Sequence, residues 1–157
     1  MGFPSRPIND DGRRQGPNGQ NNDKTNTNDT MKKILIVEDD ARIATALAIR
    51  LEAAGYEAIK APDGFRGLQS AVRDRPDLIV MDIWMPVGIG FSVAQRLKSL
   101  GLAGIPIIFI TASKVKGLRE TATKMGAAAF FEKPYDSQEL LDAVSLALHG
   151  ELQESRN

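Results

Sequence analysis

Asp82 follows the unbroken apolar run Leu78-Ile-Val-Met81, which has a turn signal on either side. Such a run suits a strand buried on both faces of a parallel sheet. A carboxylate at its end is costly unless something pairs with it. Other apolar runs also end in polar residues: Ile34–Val37 in Glu38-Asp39-Asp40, Pro106–Ile110 in Thr111-Ala112-Ser113, and Ala128–Phe131 in Glu132-Lys133-Pro134. As parallel strands, all would end on the edge where open α/β sheets place their chemistry. Carboxylates gathered there repel, and protonation is favoured unless a cation joins them. The chain has no cysteine and one histidine, so the ligands are oxygens, which suits a hard ion, Mg²⁺ above others. A lysine and a hydroxyl beside that ion add donors suited to a phosphoryl group. Each residue has a plainer reading alone: Asp40 as the N-cap of the next helix, Thr111 as a satisfied strand-end hydroxyl, Lys133 as a surface lysine. The chemistry rests on separate strand ends delivering compatible groups to one edge.

The elements that must position these groups alternate along the chain. Strands are expected at Ile34–Val37, Tyr56–Ala61, Leu78–Met81, Pro106–Ile110 and Ala128–Phe131. Between them, apolar residues recur at helical spacing. Ile43, Leu47 and Leu51 mark a helix over 41–54 that ends at Gly55, and a second helix covers 65–73. Phe91, Ala94, Leu97 and Leu100 form the face of a third helix that stops at Gly101. A fourth runs from Leu118 to Met125 and ends at Gly126. Asp136-Ser-Gln-Glu139 reads as an N-cap with its capping partner, opening a last helix striped by Leu140, Leu141, Val144 and Leu148. Strict strand–helix alternation means a parallel sheet with helices on both faces and right-handed crossovers.

At 157 residues the chain fits one folded domain. Twenty basic and twenty acidic residues balance, so no electrostatic footprint for nucleic acid is expected. No apolar run is long enough to span a bilayer, and the N-terminus lacks a signal-peptide core; the expectation is a cytoplasmic domain. Residues 1–30 are rich in Asn, Gly, Asp, Pro and Thr and are expected to be disordered. Met31 opens the foldable part and reads as an alternative start. The folded domain is expected over 31–149, with 150–157 a short tail.

Lys-Ile-Leu-Ile-Val-Glu38-Asp39-Asp40, Met81-Asp82-Ile-Trp-Met-Pro86, Ile110-Thr111-Ala112 and Lys133-Pro134 closely resemble, in order and separation, the motifs of the receiver domain of bacterial two-component response regulators. The resemblance spans Met31 to about Leu148. It implies a flavodoxin-like (βα)5 fold with strand order 2-1-3-4-5. It implies that Asp82 is the phosphoacceptor, attacking the phosphohistidine of a sensor kinase or phosphotransfer protein. Glu38 and Asp39 are then the pair that holds Mg²⁺ with Asp82, the backbone carbonyl of Trp84 is a further metal ligand, and Lys133 binds a phosphoryl oxygen. A cis Lys133–Pro134 peptide is expected. Thr111 and Phe130 resemble the family's switch pair, which reshapes the face where a downstream protein docks.

The resemblance implies a stand-alone phosphorylation-controlled module rather than an enzyme, its only chemistry being Mg²⁺-assisted phosphorylation and dephosphorylation of itself. It leaves a phosphorylation-dependent dimer open and implies no direct contact with nucleic acid. Two departures stand out: Ile89, where the family often has an acid, and the bulky Trp84, whose ring is expected to shield the phosphoryl group. Alternatives are a pseudo-receiver that binds without phosphorylation and a phosphatase of the haloacid dehalogenase type. The phosphatase needs a second aspartate where this chain has Trp84. The intact acidic pair, Asp82, Thr111 and Lys133 argue against the pseudo-receiver.

Overall fold

Alternate residues of the first strand, β1 (Lys33–Val37), explain how the layers form. Ile34 and Ile36 point to one side of the sheet and Leu35 and Val37 to the other, and all four are buried. The structure, a computed structural model, describes Gly2 and residues 30–85 and 88–150, with only the backbone of 84, 85, 88 and 89. The chain divides into two units, Met1–Thr30 and Met31–Asn157, and the sheet with its helices belongs to the second. The disorder expected for residues 1–30 and the tail expected over 150–157 fall almost wholly outside the described residues.

The other sheet strands are β2 (Glu57–Ala61), β3 (Leu78–Asp82), β6 (Ile107–Thr111) and β7 (Ala129–Glu132). Every pairing is parallel, in the order β2-β1-β3-β6-β7. Counted within the sheet this is 2-1-3-4-5, as expected. β3 is central and buried along its whole length, which accounts for its lack of alternation. α1 (Ala41–Ala53) and α5 (Ser137–His149) cover one face, where Leu47, Leu51, Leu140 and Val144 pack on Ile34, Ile36, Val80 and Ile110. α2 (Gly64–Asp74), α3 (Gly90–Ser99) and α4 (Leu118–Lys124) cover the other, where Ala71, Val93, Leu97 and Ala122 pack on Leu35, Val37, Met81 and Phe109.

Local signals set the helix ends. Asp40 caps α1, accepting from the backbone N–H groups of Arg42 and Ile43, and Asp136 caps α5 in the same way through Gln138 and Glu139. Gly55, Gly101 and Gly126 all take positive φ where helices were expected to stop.

Most element ends shift by a residue from the sequence expectations, and two of the differences change what is exposed or paired. α3 ends at Ser99, so Leu100 leaves its apolar face and is exposed, while Leu102 turns back into the core. A short hairpin, β4 (Trp84–Met85) with β5 (Gly88–Ile89), follows β3, where the expectation went no further than extended or turn geometry around Pro86. Two paired residues a side carry no period for a sequence reading to detect.

Candidate functional site

The sheet's own ladder holds the polar residues in place. Just past the end of β1, the Glu38 N–H donates to the Ala61 carbonyl at 3.1 Å. After β3, the Ile83 N–H donates to the Ile110 carbonyl at 3.0 Å, and after β7 the Lys133 N–H donates to the Thr111 carbonyl at 2.8 Å. Strand pairing thus continues past the strand ends and brings Glu38, Asp82, Thr111 and Lys133 to one edge. The Lys133–Pro134 peptide is cis.

Lys133 Nζ donates to Glu38 Oε1 and to Asp82 Oδ2, both at 3.0 Å. The two carboxylates are 3% and 5% exposed, so these bonds form largely out of water, where they count for more than surface pairs. Asp39 is exposed but completes the cluster: Glu38, Asp39 and Asp82 each offer a carboxylate oxygen within 4.8 Å of the others. Asp40 points elsewhere, as the cap of α1.

Burial, and then the closeness of Asp82, push the Glu38 carboxyl up to about 7, against the opposing pull of Lys133. Its Oε2 is buried and has no hydrogen-bond partner among the described residues. Burial on its own lowers the Lys133 pKa, but the bonds to Asp82 and Glu38 outweigh it and the net shift is upward. One ammonium therefore serves a site with more negative charge than it can neutralise. That imbalance, the orphaned oxygen and the all-oxygen donor set fit a divalent hard cation.

Thr111 is fully buried. Its Oγ1 accepts the Ser113 N–H at 3.0 Å, which uses the oxygen as acceptor and keeps the hydroxyl proton as a donor. Phe130 pairs in register with Phe109, two residues before Thr111 on β6. Period-two alternation therefore puts Thr111 and Phe130 on the same face of adjacent strands. Tyr135, just after the cis bond, packs against Phe131. The side chains of Trp84 and Ile89 lie outside the described residues, and with them the expected shielding ring and the effect of Ile89.

Gly90 is a site residue that the sequence reading passed over. Its N–H donates to the Ile83 carbonyl at 2.7 Å. A Cβ at this position would lie 2.7 Å from the Asp82 carbonyl oxygen and 3.1 Å from the Ile83 Cα. Both are backbone atoms of the segment that presents Asp82, so neither gives way easily. Gly90→Ala is expected to destabilise the fold by about 1–3 kcal/mol, as overpacking does, read by urea denaturation. An unchanged midpoint would show that the α3 start can retreat from β3. A glycine opening an apolar helix was the available signal, but the neighbour it must clear is visible only in three dimensions.

A family model described as response regulator receiver domain matches residues 34–145. The chain is 38% identical over 124 residues to the DNA-binding dual master transcriptional regulator RpaA of Synechocystis sp., covering 75% of this chain and 49% of that protein. It is 36% identical over 118 residues to the transcriptional regulatory protein PdtaR of Mycobacterium tuberculosis, covering 74% of this chain and 57% of that one. The chain thus spans about half the length of the curated relatives it matches. Among solved structures, the Vibrio cholerae chemotaxis protein CheY4 superposes with a TM-score of 0.70 at 29% identity, covering 75% of this chain and 99% of that one. A CheY-like receiver domain protein from Methanospirillum hungatei does so with a TM-score of 0.72 at 27% identity, covering 77% and 96%. The parallel sheet, the acidic edge and these matches lead to one conclusion: this chain belongs to the response regulator receiver domain family.

Proposed function

We propose that Asp82 accepts a phosphoryl group from the phosphohistidine of a sensor kinase or phosphotransfer protein, and that the modified domain signals through a protein partner. The observation that carries this reading is Lys133, bonded at 3.0 Å to both Glu38 and Asp82 beside a third carboxylate, Asp39. Such a site has a nucleophile, a donor for a phosphoryl oxygen and ligands for a cation.

An Asp82 carboxylate oxygen attacks phosphorus, forming a P–O bond. The P–N bond breaks, and its electron pair returns to the imidazole nitrogen of the donor. Lys133 steadies the charge on the phosphoryl oxygens, and Thr111 offers its hydroxyl proton to one of them. Glu38, Asp39 and Asp82, with the Trp84 carbonyl, would hold Mg²⁺, which supplies charge neutralisation to the transferred group. Hydrolysis reverses the modification, so the domain acts on itself and is not an enzyme for other substrates.

Balanced charge favours protein over nucleic-acid partners for this part of the chain. Among the described residues no helix is long and apolar enough to cross a membrane, and the reading places the work in the cytoplasm. The test is incubation with acetyl phosphate and Mg²⁺, followed by intact mass. Gain of one phosphoryl group supports the reading; no gain from acetyl phosphate or from any phosphohistidine donor sinks it.

A further inference from the structure

We propose that Arg119 is a positioning residue that holds the Phe130 ring in its resting place and so sets how readily the receiver switches. This rests on the reading of Thr111 and Phe130 as the switch pair.

Arg119 lies on the solvent side of α4, and its guanidinium carbon sits 4.8 Å from the centroid of the Phe130 ring. Its Nη1 also reaches the Phe130 backbone carbonyl, at 3.5 Å. Among the described residues Arg119 makes no ion pair. Glu132, two residues after Phe130 on β7, is 3.9 Å from Lys114. Among the described residues, the guanidinium's contacts are thus the Phe130 ring and its carbonyl. The ring is half-buried, with the core around Phe109 on one side and this cation on the other.

For the ring to turn inward toward Thr111, the stacked cation must be left behind. A cation over an aromatic face at a partly exposed site favours the stacked arrangement by a factor of about two to five. Arg119 therefore biases the unmodified domain toward its resting arrangement. If the turned-in arrangement is the one stabilised by phosphate on Asp82, the bias is reciprocal: removing the cation raises both the turned-in population and the ease of phosphorylation.

The test uses protein labelled with 4-fluorophenylalanine and fluorine NMR. The chain has six phenylalanines, and loss of one signal in Phe130→Leu assigns the resonance. Wild type, Arg119→Ala, Arg119→Lys and Lys124→Ala are compared before and after acetyl phosphate with Mg²⁺, with intact mass as the measure of uptake. In Arg119→Ala the unmodified signal is expected part-way toward the phosphorylated position, with initial uptake about two- to five-fold faster. Arg119→Lys should fall between Ala and wild type, and Lys124→Ala should match wild type. The uptake rate separates a shifted equilibrium from a signal that only reports the lost charge. Normal uptake by Arg119→Ala with an unmoved or unrelated signal overturns the proposal, as does an equal change in Lys124→Ala. If wild type takes up no phosphoryl group from acetyl phosphate or from a phosphohistidine donor, the phosphoacceptor reading of Asp82 fails and this proposal falls with it.

Discussion

Asp82→Asn is expected to gain no phosphoryl group from acetyl phosphate and Mg²⁺ where the wild type gains one, while remaining folded. The amide is nearly isosteric but has no anionic oxygen to attack phosphorus, so the loss is complete rather than graded. The fold tolerates the change because the segment is held by backbone bonds: Asp82 pairs in register with Ile110, and the Ile83 N–H donates to the Ile110 carbonyl. The electrostatic consequence is less obvious. Asp82 is one cause of the raised Glu38 pKa, through its closeness and its charge. Removing that charge brings the Glu38 carboxyl down, and Lys133 keeps Glu38 as a partner at 3.0 Å. In EDTA at neutral pH the variant should therefore melt at or above the wild-type temperature. Added Mg²⁺ should stabilise it less than wild type, because one carboxylate of the cluster is gone. Intact mass and thermal melts with and without Mg²⁺ check all three outcomes; uptake that persists in Asp82→Asn would place the acceptor elsewhere.

The second large effect is a pH dependence opposite to that of carboxylates held in their charged form by ion pairs or caps. Glu38 rises from an ordinary value of 4.5 to about 7 in the folded protein. Between those values the folded state binds more protons than the unfolded one, so stability falls as pH rises through that window. For this group alone the loss between pH 4.5 and 7 amounts to about 3 kcal/mol. Lys133, raised by its two carboxylates, contributes stability that is fully present below its unfolded pKa and lost only at alkaline pH, so it adds no slope here. Asp40 and Asp74 are lowered, and their stabilisation is lost below about pH 4, also outside the window. Urea denaturation of wild type and Glu38→Gln in EDTA at pH 5, 6 and 7 isolates the effect. Wild type should lose stability relative to Glu38→Gln as pH rises, and Mg²⁺ should shrink that difference by favouring the ionised carboxylate. Parallel curves for the two proteins would show that Glu38 titrates normally.

Much of this was legible before any coordinates. Strand β3 announced itself as an apolar run that ends in a carboxylate, because a strand covered on both faces tolerates no polar side chain until it emerges from the sheet. Asp40 and Asp136 could be read as caps, since an N-cap depends on residues within one turn of it. Leu100 was misplaced for a related reason: helical spacing continues one residue beyond Ser99, where the helix ends, and spacing alone does not locate the last turn. The β4–β5 hairpin left no trace because two residues make no pattern. Gly90 and Arg119 were passed over because their partners, the Asp82 backbone and the Phe130 ring, belong to other elements.

The sequence by itself determined the layers, the alternation of strands and helices, and the edge where Glu38, Asp39, Asp82, Thr111 and Lys133 would gather. Those follow from periodicity and from the cost of burying charge, both of which act along the chain. Only the tertiary structure decided that one lysine is shared at equal distance by two buried carboxylates, that Glu38 is left with an orphaned oxygen and a raised pKa, and that a cation lies over the Phe130 ring. These depend on distances between residues as far apart in the chain as Glu38 and Lys133, and on how much water remains between them. Solvation and separation set the strength of every charge in the site, and neither is written in local sequence.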